Sequence, residues 1–262
     1  MKILSLLLAM ALFSLGCTSC AHHSPRLWDP MGDPTAAETQ RLMQGTVQID
    51  HLITALVPDL KEKKLKPMKG GATGSGVVIA VKGGESLVLT AAHVCKPKET
   101  VTVPLNEEVS VEVPVLGEEY FVWTMDLDQL PAMPVEIDEE NDVCVMRVLG
   151  KAGNVIDVAT SDPPIGAMVT HVGSPRGVLN LHRAFVTDGH YMGVQHYRGT
   201  DRHSEMIAIP IDHGSSGGGI FYRGKVFAVV SRVDENWKQI AICEGDGPMR
   251  LVIKKAKEKW LR

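Results

Sequence analysis

Three short stretches carry side chains whose chemistry is complementary. The first is "GSSGGG", residues 214–219, in which nothing is larger than a hydroxymethyl group. It lies between two strand-like runs and only 43 residues from the C-terminal end, where an interdomain linker has no place. Glycines let backbone amides approach a reacting group closely, and a serine among them can supply an attacking oxygen. A serine hydroxyl is a weak nucleophile and needs a base, and the base needs a group to orient it. His93 in "LVLTAAHVC" ends an apolar run and is flanked by small residues, which makes it the candidate base. Asp142 in "EENDVCVMRV" immediately precedes an apolar strand, where a carboxylate can be fixed at the edge of a core. Asp138, Glu139 and Glu140 fall earlier, in a run that reads as exposed, and are poorer candidates.

Other chemistry-bearing residues fit less well. His190, His196 and His203, with His171 and His182 upstream, match neither a zinc helix motif nor paired Cys/His spacing, and they read as solvated loop residues. No metal and no cofactor are expected. His213, three residues before Ser216, reads either as a substrate-touching residue at a pocket mouth or as a turn histidine. The five cysteines are 17, 20, 95, 144 and 243, without a repeated CxxC pattern. In an exported protein some of them can pair, but Cys95 and Cys144 sit in apolar surroundings and also suit a core as small side chains.

The elements that must position these groups are mostly strands. "SGVVIAV", "SLVLTAA", "VTVPL", "VSVEVPVL", "YFVWTM", "DVCVMRVL", "MVTHVG", "RAFVTDG", "EMIAIPI" and "KVFAVVSRV" are β-rich and separated by turn-formers. So many short strands without intervening helices predict an all-β sandwich or barrel. Two helices flank them. Asp33 or Thr35 can cap a short helix, with Pro34 early and Glu38 three residues after Thr35, ending near Gly45, and "TVQI" follows as a first strand. At the other end Asp246 can cap an amphipathic helix in which Met249, Val252, Ile253, Ala256 and Trp260 share a face. "LKEKKLKPMKGG" reads as a solvated lysine-rich loop.

The chain has 262 residues and a net charge of −4, so it is not a basic nucleic-acid binder. Residues 101–145 hold twelve acidic residues and no Lys or Arg, an exposed face or an acidic rim that draws basic substrates. Residues 1–16 read as an export signal, an apolar run too short to span a membrane stably. "FSLGC" is similar to a bacterial lipobox, which makes Cys17 the candidate lipidated N-terminus, with Ser14 in an unusual place; cleavage after Ala21 is the second reading. Residues 17–44 form a tether with the short helix, and 45–262 the main domain. The expected location is the periplasm or cell envelope, with attachment to the membrane through lipid on Cys17.

"TAAHV", "NDVCVMRV" and "GSSGG", in that order, resemble the His, Asp and Ser motifs of chymotrypsin-like (trypsin-like) serine peptidases. "ATGSGVVIA" and "VGSPRG" further resemble the protease domain of bacterial HtrA (Deg) proteins. The likeness spans about residues 46 to 260. It implies two packed six-stranded antiparallel β-barrels with a C-terminal helix, and a serine endopeptidase acting on proteins or peptides. It implies His93 as base, Asp142 as its orienting carboxylate and Ser216 as nucleophile, because Gly214 lies two before it and two glycines follow. The backbone N–H groups of Gly214 and Ser216 would form the oxyanion hole. Ser231 would support Asp142, and Pro210, His213, Ser231 and Val233 would border a pocket for a small or medium apolar residue.

The departures matter too. Ser215 replaces the Asp that in vertebrate digestive enzymes pairs with a new N-terminus, so activation by that ion pair is not expected. Val94 follows His93 where those enzymes have a Cys bonded to the preceding strand, so that disulfide is absent. No PDZ domain follows, unlike typical HtrA proteins, so substrate capture by one is not expected. A binding module with a catalytically silent protease fold is the alternative reading.

Overall fold

The computed structural model describes residues 35–59, 64–104, 109–175, 184–196, 203–234 and 239–261. The leader, Cys17, the tether as far as residue 34, and His182 lie outside them. Helix α1 (Ala36–Gln44) is capped by Thr35, whose hydroxyl accepts the Glu38 N–H at 3.2 Å, and it stops at Gly45. Its Leu42 is buried in the core. The next residue begins β1 (Thr46–Asp59), which pairs with β2 (Lys64–Lys82) from Thr46↔Val77 out to Asp59↔Lys64. Most of the lysine-rich stretch is therefore strand, not loop. Its own side chains are mainly exposed, and the alternation that holds it comes from β1, where Ile53, Ala55 and Val57 are buried.

The first barrel continues with β3 (Glu85–Thr90), short helix α2 (Ala92–Cys95), β4 (Thr100–Pro104), β5 (Ser110–Trp123), β6 (Gln129–Asp138) and β7 (Val143–Val148). Its order is β1-β2-β3-β7-β6-β5, closed by pairing of β5 with β1, and β4 hangs on the outer half of β5. The second barrel holds β8 (Met168–Gly173), β9 (Phe185–His196), β10 (His203–Ala208), β11 (Gly219–Tyr222), β12 (Lys225–Val233) and β13 (Ile240–Glu244). It closes in the order β10-β13-β12-β11-β8-β9. His190, His196 and His203 thus lie on strands rather than loops. His196 and His203 face each other across β9 and β10 with ring centroids 5.8 Å apart. No group of three or more His, Cys, Asp or Glu that could hold a metal occurs among the described residues.

Alternation explains why β3 and β7 read as unbroken apolar runs. Val88, Cys144 and Met146 point into the first barrel, while Leu87, Leu89, Val143 and Val145 point into the core between the barrels. That second core is completed by Phe221 and Val229 from the second barrel and by α3 (Asp246–Trp260). Burying each such side chain contributes about 1.5–3 kcal/mol, so the packing of barrel on barrel is strongly favoured. Helix α3 lays Met249, Val252, Ile253 and Ala256 on this core and leaves Lys254, Lys255 and Lys259 exposed. It begins at Asp246, so Gly245 and not Asp246 is the capping residue.

Candidate active site

Strand register brings His93 and Asp142 together. Thr90, the last residue of β3, pairs with Cys144 near the start of β7. His93, one turn beyond β3 on α2, therefore arrives beside Asp142, just ahead of β7. The His93 backbone N–H donates to Asp142 Oδ1 at 2.9 Å, and Nδ1 lies 2.8 Å from Oδ2. A carboxylate only accepts, so Nδ1 carries the proton and the Nε2 lone pair is left for substrate chemistry. Asp142 stands at φ 49°, a left-handed conformation that Asp tolerates better than most residues. Burial pushes its carboxyl upward, but hydrogen bonds from His93 and Ser231, with the charge of His93, outweigh that and hold it below the usual carboxylate value. The Ser231 hydroxyl donates to Oδ2 at 2.6 Å, so a residue of the second barrel completes the carboxylate of the first.

A disulfide spans the same two segments. Cys95 and Cys144, each two residues beyond His93 or Asp142, are bonded, with Cα atoms 6.6 Å apart. Of the readings open for these cysteines, pairing is the one observed, and both also fill the interior of the first barrel. Cys243 is free and buried.

Ser216 lies on the turn that leads into β11. The Gly217 N–H donates to Val230 C=O at 2.7 Å and the Gly218 N–H to Ser215 C=O at 2.8 Å, which pins the turn beside β12. The glycine run answers to close approach. At Gly217, φ 79°, a Cβ would stand 2.0 Å from Thr90 Oγ1 and 2.3 Å from Ser75 O. At Gly218 it would stand 2.6 Å from the ring of His171. His171 is wholly buried beneath the turn and its Nδ1 lies 3.1 Å from Gly219 O, to which it donates. Burial lowers its pKa to about 4. It belongs to the support of the turn and not to a set of metal ligands.

Ser215 is buried, while Ser216 and His93 both line a pocket of 440 Å3 with Ile211, Asp212, His213, Val230, Ser231 and Val233. Pro210 is not part of that lining; its carbonyl accepts the Thr187 hydroxyl at 3.3 Å. The turn advances so that Ile211 to His213 form the wall instead. Gly214 adopts φ 91°, and among the described residues neither its N–H nor that of Ser216 has a protein acceptor. Two such amides, one of them on the pocket-lining Ser216, are suited to an anionic oxygen. Among the described residues no hydrogen bond joins Ser216 Oγ to His93 Nε2, a contact that is often long without substrate.

Comparison with known proteins agrees with this architecture. The crystal structure of Rv3671c from M. tuberculosis H37Rv, a serine-to-alanine mutant in an inactive form, is similar with a TM-score of 0.58 and 18% identity, over 87% of this chain and 97% of that one. The HtrA-type protease AlgW with a decapeptide superposes with a TM-score of 0.63 and 17% identity, over 84% of this chain and 66% of that one. At such identity the likeness is one of fold. No curated protein matches the sequence. The model of the trypsin-like peptidase domain matches residues 74–229, from the glycines before β2 enters the barrel to the middle of β12. That span takes in His93, Asp142 and Ser216 and covers more than half of the sequence, and the chain belongs to the trypsin-like peptidase domain family.

Proposed function

We propose that this protein is a serine endopeptidase that cleaves proteins or peptides through an acyl-enzyme. The observation that carries the reading is His93, oriented by Asp142 through Nδ1, facing the same pocket as Ser216. Ser216 Oγ attacks the scissile carbonyl carbon as His93 Nε2 takes its proton. The tetrahedral oxyanion is held by the N–H groups of Gly214 and Ser216. His93 then returns the proton to the leaving amine, the C–N bond breaks, and an ester to Ser216 remains. Water, deprotonated by His93, repeats the sequence and frees the acid.

Ile211, Val230 and Val233 along the pocket favour a small or medium apolar residue before the scissile bond. Export and anchoring through Cys17 are part of the same proposal, and the Cys95–Cys144 disulfide supports an oxidising compartment. A silent binding module would be favoured by a filled cleft or by amides turned onto protein acceptors, and neither feature is seen among the described residues. The test is labelling of the purified protein with a fluorophosphonate probe, beside Ser216→Ala. Attachment to the wild type alone is expected. A wild type that stays unlabelled would falsify the peptidase reading and move weight to the binding module.

A further inference from the structure

We propose that Ser75 is a positioning residue that sets the oxyanion hole; the inference rests on the reading of Ser216 as nucleophile. Ser75 lies on β2 in the first barrel and is wholly buried. Its hydroxyl donates to Gly214 C=O at 2.6 Å and accepts the Ser174 N–H at 2.8 Å. Its backbone N–H donates to Ser216 C=O at 2.7 Å. The two residues whose amides would face the oxyanion are thus the two whose carbonyls Ser75 holds. Holding a residue's carbonyl fixes the peptide plane that follows it, so only rotation about φ and the preceding ψ is left to the residue's own N–H. Gly214, at φ 91° and without a side chain, has little else to restrain that rotation. Ser75 therefore anchors the C-terminal side of both residues, which narrows the directions their amides can take.

The support continues away from the site. The Ser75 carbonyl accepts the Thr90 hydroxyl at 2.7 Å. The Ser174 hydroxyl donates to Gln48 Oε1 at 2.8 Å, and Gln48, paired in register with Ser75, donates through Nε2 to Asp50 Oδ1 at 2.9 Å. Trp123 Nε1–H donates to the other oxygen of Asp50 at 2.8 Å. Burying this many polar groups between two apolar cores is costly unless each is satisfied, and a plain interface would be built from aliphatic side chains. The polarity is placed where it meets the turn. "ATGSGVVIA" and "VGSPRG" supply its two serines, which gives those motifs a function on opposite barrels.

The experiment compares wild type, Ser216→Ala and Ser75→Ala in two measurements. With a peptide substrate, Ser75→Ala is expected to lower kcat and the fluorophosphonate labelling rate by about 10-fold to 100-fold, less than outright loss of a donor, with KM within twofold of the wild type. A structural role alone would instead lower the fraction of molecules that label at all, so the labelling endpoint is read beside the rate and kcat is taken per labelled molecule. In 15N-labelled protein the backbone order parameters of Gly214 and Ser216 are expected to fall from about 0.85 to below about 0.6 in Ser75→Ala, while β2 and β12 stay rigid. Ser75→Cys keeps nearly the same volume with only a weak donor and stands in if the alanine variant does not fold. Unchanged order parameters, or kcat within threefold of wild type, would overturn the proposal. A wild type that does not label refutes the peptidase reading alone, because relaxation reads the turn without turnover.

Discussion

The two barrels hold their shares of the site by different means. The first carries His93 and Asp142 on segments joined by two hydrogen bonds and a disulfide. The second carries Ser216 on a glycine turn with no covalent brace, pinned by hydrogen bonds to β12 and, through Ser75 and Thr90, packed closely on the first barrel. His93 and Asp142 are therefore held together mainly within one barrel, with Ser231 of the second adding one bond to the carboxylate. Ser216 is placed by the fit between two. Disturbance of the interface should reach Ser216 and its amides before it reaches the His–Asp pair.

This contrast can be broken in several ways. The largest effect is expected from His93→Ala, which should lower kcat by about a million-fold, roughly 8 kcal/mol, read in steady-state peptide hydrolysis. Asp142→Asn keeps the shape but favours the wrong imidazole tautomer, and a loss near 10⁴-fold in kcat is expected in the same assay. A small effect there would mean that the pair is not the unit described.

Removing the disulfide with Cys95→Ala and Cys144→Ala should cost about 4 kcal/mol of stability by the loop-entropy argument, for cysteines 49 residues apart. Urea unfolding measures this. Labelling per folded molecule should fall far less than in Asp142→Asn, since the hydrogen bonds between His93 and Asp142 remain.

Acid tests the other barrel. His171 is held neutral to about pH 4 in the fold, against 6.5 when free. Between those values the unfolded chain takes up a proton that the folded chain refuses, so stability falls as pH drops through this window, by about 3 kcal/mol in total. Unfolding in urea at pH 6.5, 5.5 and 4.5 should show that slope in wild type and a flatter one in His171→Gln. The smallest effect is that of Ser231→Ala. It removes one bond to Asp142 while both His93 contacts persist, and about 1 kcal/mol, or fivefold in kcat, is expected.

The strands were legible where a sheet buries one or both faces, because alternation and unbroken apolar runs are local signals. They carried the all-β character, and helical periodicity the amphipathic C-terminal helix, while the division into two barrels came from the family resemblance. The arm of β2 was not legible. "KLKPMKGG" has no apolar alternation of its own, and its strand character comes from pairing with β1. "VSVEVPVL" and "YFVWTM" read as two strands, yet Gly117 to Glu119 continue the backbone between them and pair with β1 through a shift at Thr54/Ala55.

Within the site, motif spacing singled out His93, Asp142 and Ser216; His93 and Ser216 line one pocket, and Asp142 is bonded to His93. Pocket residues chosen by counting from Ser216 fared unevenly: Val233 and His213 lie in the lining, but Pro210 does not, because a turn does not keep register as a strand does. The disulfide could not be singled out, since Cys95 and Cys144 suit a barrel interior equally well as thiols, and only the β3–β7 register makes them neighbours. Ser75, Ser174 and Gln48 are silent as isolated letters. Their signal was a motif without an assigned role. His171 carried a better clue, a histidine inside the apolar strand "MVTHVG", which points to a buried partner rather than to solvent.

The position of the cystine also has a consequence for the order of assembly. Every strand of the first barrel precedes residue 149, and both sulfurs lie within it. Domains generally fold as units in the order in which they are synthesised. A chain that enters an oxidising compartment N-terminus first can thus close its first barrel, oxidise it and bring His93 against Asp142 before the serine turn arrives. Its thiols then become a clock: loss of titratable sulfhydryl marks the first barrel as complete, while reactivity at Ser216 waits for the second.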